Sequence, residues 1–174
     1  MTLKYELKFY DYWHLSSGLS SGAKLDSTVT KDRDALPYAA GKTIKGLARE
    51  MAELLDNNFV KSCFGDEGVD MGACYFTNAT IKQETKEQIV SHHLQDNLYD
   101  VIASTKIDDK GVAEDDTLRE NEVVVPISLY GEILDIPSEN ECKKMQKSLK
   151  MIKRMGLNRN RGLGRCEFFV EVCR

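Results

Sequence analysis

Histidine is scarce in this 174-residue sequence, tryptophan occurs once and proline three times. His92-His93 has no third ligand nearby and reads as a surface pair, not a metal site. The five cysteines, at 63, 74, 142, 166 and 173, fall at irregular spacings without a CxxC pair. That pattern supports neither a disulfide framework nor a zinc site, so reduced and mostly buried thiols are expected. No stretch approaches the roughly 18 uncharged apolar residues of a membrane span. The start, Met1-Thr2-Leu3-Lys4-Tyr5-Glu6, lacks the apolar core of a secretion signal, so a cytoplasmic protein with no membrane partner is expected. What remains, 41% apolar and 30% charged residues, is the composition of an ordinary globular protein. The length predicts a single domain over residues 1–174, large enough to bury a core.

The net charge of −4 argues against a nucleic-acid partner until its distribution is considered. Residues 1–49 carry eight basic and five acidic side chains, residues 50–141 six and 21, and residues 142–174 ten and two. Both ends are basic and the middle is acidic. Residues 143–165 hold nine Lys or Arg and no Asp or Glu. Such a block makes a local positive field whatever the total, although a solvated helix face paired with the acidic middle would look the same.

Periodicity sets the expected order of elements. Leu3, Tyr5, Leu7 and Phe9 alternate with Lys4, Glu6 and Lys8, a half-buried strand. Residues 14–40 read as a long loop, and a loop of that length is usually functional or disordered. From Thr43, apolar residues recur at helical spacing through Leu55, and the helix is expected to end near Asp56-Asn57-Asn58. Ala73 to Ile81 reads as a strand, Glu122 to Ile136 as one longer β segment bent at Gly131, and 85–102 as a helix, with Lys106 to Glu120 as an exposed excursion. A second helix follows Pro137-Ser138 and stops by Gly156. Cys166, Phe168, Val170 and Val172 alternate in a last strand. The order β-α-β, excursion, β-α-β predicts an α+β, ferredoxin-like (split βαβ) fold, with two helices on one sheet face and the other face left for a partner.

Two constellations could carry chemistry. At Gly41-Lys42-Thr43-Ile44-Lys45, a Pro-Gly turn opens a helix whose first turns carry Lys42, Lys45 and Arg49, where a phosphate could sit. An ordinary helix entry with surface lysines fits the same residues, and the P-loop spacing is missing. Gly156-Leu157-Asn158-Arg159-Asn160-Arg161-Gly162-Leu163-Gly164-Arg165 offers arginine forks to phosphate oxygens and glycines that allow close approach of a sugar-phosphate chain. Tyr10, Tyr12 and Trp13 could stack a base, though core packing is commoner for such clusters. His14 could face RNA, but a satisfied structural histidine is the commoner case.

The chain resembles the RAMP superfamily of CRISPR-associated proteins, and within it the backbone subunits of type III interference complexes. The marks are Gly18-Leu19 with Gly22, Leu25-Asp26-Ser27-Thr28-Val29 followed by Lys31-Asp32, Leu36-Pro37 through Gly41, Lys45-Gly46 and Arg49, Phe64-Gly65 with Gly72 to Asn78-Ala79, and Arg161-Gly162-Leu163-Gly164-Arg165, which looks like the superfamily's C-terminal glycine-rich signature. The chain is shorter than typical members, and Gly156-Leu157-Asn158 stands in place of a richer glycine run.

The resemblance implies a modified RRM fold that polymerises along a CRISPR guide RNA with copies of itself and other subunits, while a thumb-like hairpin from the variable excursion at 82–121 kinks the guide. It also implies that Asp26 serves cleavage of the bound complementary target RNA with a divalent ion, Mg²⁺ or Mn²⁺. The expected RNA contacts are Lys24, Lys42, Lys45, Arg49, Arg159, Arg161, Gly162, Gly164 and Arg165. Read from the residues alone, Asp26 is a lone loop carboxylate that could hold a metal through water or orient a ribose 2′-hydroxyl, or could cap a turn. Rival readings are a catalytically silent scaffold subunit, a guide-processing ribonuclease with His14 as acid or base, and an adaptor that binds no RNA.

Overall fold

A computed structural model describes residues 1–18, 26–66, 71–112 and 117–171. Lys24, Gly22, Leu25, Val172 and Cys173 lie outside these residues.

The alternation read at the start of the sequence forms β1 (Leu3–Phe9), whose odd positions are buried. Helix α1 (Gly41–Glu53) and, after Asp56, helix α2 (Asn57–Phe64) follow the first loop. Then come β2 (Tyr75–Phe76), α3 (Gln83–Ser91), β3 (Tyr99–Ser104), β4 (Arg119–Val124), β5 (Ser128–Leu134), α4 (Glu139–Met151) and β6 (Cys166–Val170). The main sheet is antiparallel in the order β2-β5-β1-β6, with Leu3 opposite Ile133 and Leu7 opposite Phe168. This is the α+β, ferredoxin-like arrangement expected from the sequence.

One apolar cluster joins Leu3, Leu7 and Phe168 of the sheet to Ile44 and Ala48 of α1 and Met145 and Leu149 of α4. Leu47, Met51 and Val170 pack at its margin. Phe9 stacks on Trp13 with ring centres 4.5 Å apart, so Trp13 belongs to the core and cannot stack a base. The opposite sheet face stays open, with Lys4, Tyr130, Glu132 and Phe169 lining a shallow cleft of about 620 Å³.

Several boundaries differ from the expected ones. The segment 122–136 is two strands in two sheets, because Pro126, lacking an N–H, separates β4 from β5. Gly131 is no bend; it lies mid-strand opposite Tyr5. The 73–81 strand shrinks to β2, since Ala79 pairs with Ala39 and Thr80 with Tyr130 as isolated bridges. The expected 85–102 helix ends at Ser91, and Tyr99 opens β3 of the hairpin. Helix α2 was not foreseen: the Asp56 carboxylate accepts the N–H groups of Asn58 and Phe59 and so starts a helix where the sequence reads as an end. Cys63, Cys74 and Cys166 are free and buried, whereas Cys142 is disulfide-bonded, which corrects the expected thiol there.

The hairpin β3–β4 stands apart from the main sheet and pairs from Tyr99–Val124 to Ser104–Arg119. Its β4 strand receives the start and the middle of the first loop. Trp13 and Val124 exchange backbone hydrogen bonds of 3.1 and 2.8 Å, Glu122 N–H donates to the Ser27 carbonyl at 3.2 Å, and Asp26 N–H to the Glu120 carbonyl at 2.9 Å. The Glu122 carboxylate is nearly buried between the Lys31 ammonium at 2.6 Å and the Val29 N–H at 2.9 Å, a paired and hydrogen-bonded charge that fastens the loop from beneath.

Candidate nucleic-acid interface

Three distant segments meet at one cleft of about 430 Å³: the middle of the first loop (Asp26, Ser27), the hairpin (Ile102, Ser104, Arg119, Asn121) and the glycine-rich segment (Leu157, Asn158, Arg161, Leu163). Asp26 is exposed and fixed at once by its backbone and its side chain: besides the N–H bond to Glu120, its Oδ2 accepts the Glu120 N–H at 2.8 Å. Oδ1 has no partner among the described residues. Neither Arg159 nor Arg161 has an acidic partner among those residues, and both are exposed. The cleft therefore sets one free carboxylate oxygen among uncompensated guanidinium charge, with amide groups from Asn121 and Asn158.

The glycine-rich segment is held by its own chain. Leu157 N–H donates to the His14 carbonyl at 2.9 Å, Gly164 N–H to the Tyr12 carbonyl at 2.8 Å, and Met155 N–H to the Gly164 carbonyl at 2.9 Å. A β-carbon on Gly164 would overlap the Met155 carbonyl, and one on Gly156 the His14 carbonyl. Those two glycines thus serve close packing within the protein, whereas Gly162, at φ +97° with open space where a side chain would stand, leaves the backbone accessible.

The other expected contacts do not gather at this cleft. Arg165 pairs with Asp11 at 3.1 Å, stands over the Tyr10 ring, and lines a separate cleft of about 330 Å³ with Lys153 and Arg154. Arg49 is paired with Glu53 at 3.2 Å. At the start of α1 the Gly41 N–H is taken by Asn78 Oδ1 at 2.9 Å, which removes one donor from the phosphate seat proposed there. Lys42 is exposed and Lys45 half-buried, and neither reaches the Asp26 cleft.

His14 is fully buried, so it cannot touch RNA as an acid or base. Its Nδ1 meets the Glu122 carbonyl at 2.5 Å and its Nε2 the Ser27 hydroxyl at 2.9 Å, so it joins hairpin to loop beneath the cleft. On the hairpin side, Tyr12 donates to Asp100 at 3.0 Å, and this bond to a carboxylate raises its phenol's pKa. Ser27, Arg119, Asn121 and Asn158 were not singled out as site residues, although Ser27 stands beside Asp26 in a family mark and Asn158 in the Asn-Arg-Asn-Arg run. Asn158 adopts the left-handed conformation that opens the turn carrying Arg159 and Arg161.

Among the described residues no group of three or more His, Cys, Asp or Glu could hold a metal ion by itself. A hard cation at Asp26 would be met by one carboxylate and would draw its other ligands from water and phosphate oxygens, a donor set that suits Mg²⁺ or Mn²⁺. No helix among these residues is long and apolar enough to cross a membrane.

Comparison with known proteins agrees with this architecture. No curated protein sequence matches the chain. Among solved structures, it is similar to a chain of the type III-B Cmr-beta bound to cognate target RNA, determined by cryo-EM, with a TM-score of 0.78 and 10% identity over 98% of this chain and 97% of that one. The apo state of Cmr-beta gives a TM-score of 0.74 and 13% identity over the same shares. The family model of the RAMP superfamily matches residues 6–167. The chain belongs to the RAMP superfamily.

Proposed function

We propose that the protein is a guide-RNA-binding backbone subunit of a type III CRISPR effector complex, and that it cuts the complementary target RNA held on it. The observation that carries this reading is the single cleft uniting Asp26 with Arg119 and Arg161. The shared fold with a Cmr-beta chain, whose complex holds cognate target RNA, supports the assembly.

Cleavage of RNA by its own 2′-hydroxyl asks little of a protein. One nucleotide must be held with the hydroxyl in line with the scissile phosphate, and the charge growing on the phosphorane must be stabilised. Arg119 and Arg161 present forked donors to the phosphate oxygens. The apolar side chains of Leu157, Leu163 and Ile102 border the seat of the nucleotide and limit water there. Asp26, locked to β4 through Oδ2, keeps Oδ1 for water or for a cation. Asp26 would hold a divalent ion through water, and the chemistry such an ion would supply is Lewis-acid neutralisation of phosphate charge.

The test is the assembled complex with guide and complementary RNA. Cleavage is expected to leave a 5′-hydroxyl and a 2′,3′-cyclic phosphate and to stop on chelation with EDTA. Asp26→Ala is expected to abolish it while guide binding and assembly persist. The Asp26–Glu120 hydrogen bond also suits a silent scaffold, in which Asp26 only fastens the loop. That reading takes over if the unmutated complex binds target RNA without cutting it, or if Asp26→Ala cuts at the original rate.

A further inference from the structure

Ser27 lines the cleft beside Asp26, and the hydrogen bonds of its hydroxyl fix which way it can act. Nδ1 of His14 faces the Glu122 carbonyl, which can only accept, so Nδ1 carries the ring's proton. In the neutral ring Nε2 is then an acceptor, and the hydroxyl 2.9 Å away, that of Ser27, must donate to it. A hydroxyl has one proton and two acceptor sites. With the proton committed to a buried histidine, the Ser16 hydroxyl, 3.4 Å away, can only donate to Ser27, and one acceptor site remains. The buried ring thus converts an ordinary serine into a group that accepts and does not donate.

We propose that Ser27 is a specificity-determining residue that selects ribose over deoxyribose in this cleft by accepting a hydrogen bond from the 2′-hydroxyl of the bound target nucleotide, with His14 as the positioning residue that fixes its polarity. A deoxyribose offers no proton there, and the 2′-hydroxyl is the group by which a protein tells RNA from DNA at a given site. The same contact would hold the hydroxyl that attacks the phosphate. Ser27 is half-buried and sits on backbone already paired with Asn121 of β4, so its oxygen is pre-positioned and costs little ordering on binding.

This inference rests on the reading that target RNA occupies the cleft, and its test separates the two. The assembled complex with its guide is given complementary targets bearing either 2′-hydroxyl or 2′-fluoro sugars, and dissociation is measured with EDTA present so that nothing is cut. Fluorine keeps the sugar pucker of RNA but has no proton to donate. The unmutated complex is expected to hold the hydroxyl target longer, by about two- to tenfold for each nucleotide so contacted. Ser27→Ala is expected to bring the ratio close to one, and Ser27→Thr, which keeps the hydroxyl, to restore it. Ser27→Ala with the ratio unchanged overturns the role of Ser27 while leaving the RNA-binding reading intact. A complex that binds neither target overturns that reading and this inference with it.

Discussion

The Tyr5 hydroxyl lies against the α-carbon side of Gly131, its partner across the β1–β5 pair, where a β-carbon on Gly131 would overlap the hydroxyl and the end of the ring. Tyr5 is buried, and among the described residues its hydroxyl is the one buried side-chain polar atom without a hydrogen-bond partner. An unsatisfied buried hydroxyl contributes nothing that a hydrogen atom would not. Tyr5→Phe is therefore expected to leave stability unchanged or raise it by about 1 kcal/mol. Gly131→Ala is expected to cost about 1–3 kcal/mol through overpacking, and shortening residue 5 to Leu in the same chain should recover part of that loss. Urea unfolding of the two singles and the double reads the coupling, and additive effects would show that the two residues do not meet.

Alkali should unfold the protein through groups whose burial opposes ionisation. Burial raises the Tyr5 phenol above its ordinary value and pushes the Cys166 thiol up to about 12, against a small opposing pull from Lys153. Both groups are neutral when protonated and have folded pKa values above their unfolded ones. Their contribution is fully present below the unfolded values and is lost as pH rises through the folded ones. The unfolding midpoint is expected to fall from roughly pH 9 upward, and Tyr5→Phe with Cys166→Ser should flatten that limb. An unchanged limb in the double variant would exclude both groups as its cause.

Acid acts through Asp56. Its carboxylate bonds the Lys144 ammonium of α4 and caps the first N–H groups of α2, and these contacts hold it below the usual carboxylate range. A depressed folded pKa gives stability that is present above the unfolded value and lost as pH falls through the folded one. Asp56→Ala is expected to lower the thermal midpoint at pH 7, and the difference from the unmutated protein should narrow towards pH 2. A constant difference across that range would mean that the charge is not what matters.

Charge reversal should sort the basic residues. Reversing Arg159 and Arg161, which have no acidic partner among the described residues, is expected to weaken RNA binding strongly. It should also flatten the log–log salt dependence by about 0.7 for each lost single-strand contact. Reversing Arg49, already paired with Glu53, is expected to leave the slope nearly as it was. An equal effect per reversed residue at Arg49 would place the RNA path along α1 as well.

The elements legible in the sequence were those whose burial repeats regularly: β1 and β6 with period two, α1 and α4 with a stripe of apolar residues. Ser138, which caps α4 by accepting the Glu141 N–H, was equally readable. Helix α2 was hidden because Asp-Asn-Asn both ends and begins helices. The β4–β5 boundary was hidden because Val123-Val124-Val125-Pro126-Ile127 is apolar throughout while its backbone changes sheet. At the site, Asp26 and Arg161 could each be picked out by residue type and surroundings. Their meeting could not, since it depends on β4 carrying Asn121 to Ser27 and on Leu157 docking to His14. The basic cluster at the start of α1 failed to join them for the same reason: sequence proximity to the loop did not become spatial proximity to Asp26.

The clasp between the first loop and β4 dictates an order of events on the ribosome. Asp26 leaves the exit tunnel some 90 residues before Glu120, whose backbone holds it, and the third wall of the cleft, around Arg161, follows about 40 residues later. Contacts so far apart along the chain close slowly, because the loop entropy is lost before the contact is gained. A nascent chain can already hold the residues of β1, α1 and α2 while it has no cleft at all. The cleft closes only once the segment around Arg161 has emerged, just ahead of β6, which completes the sheet.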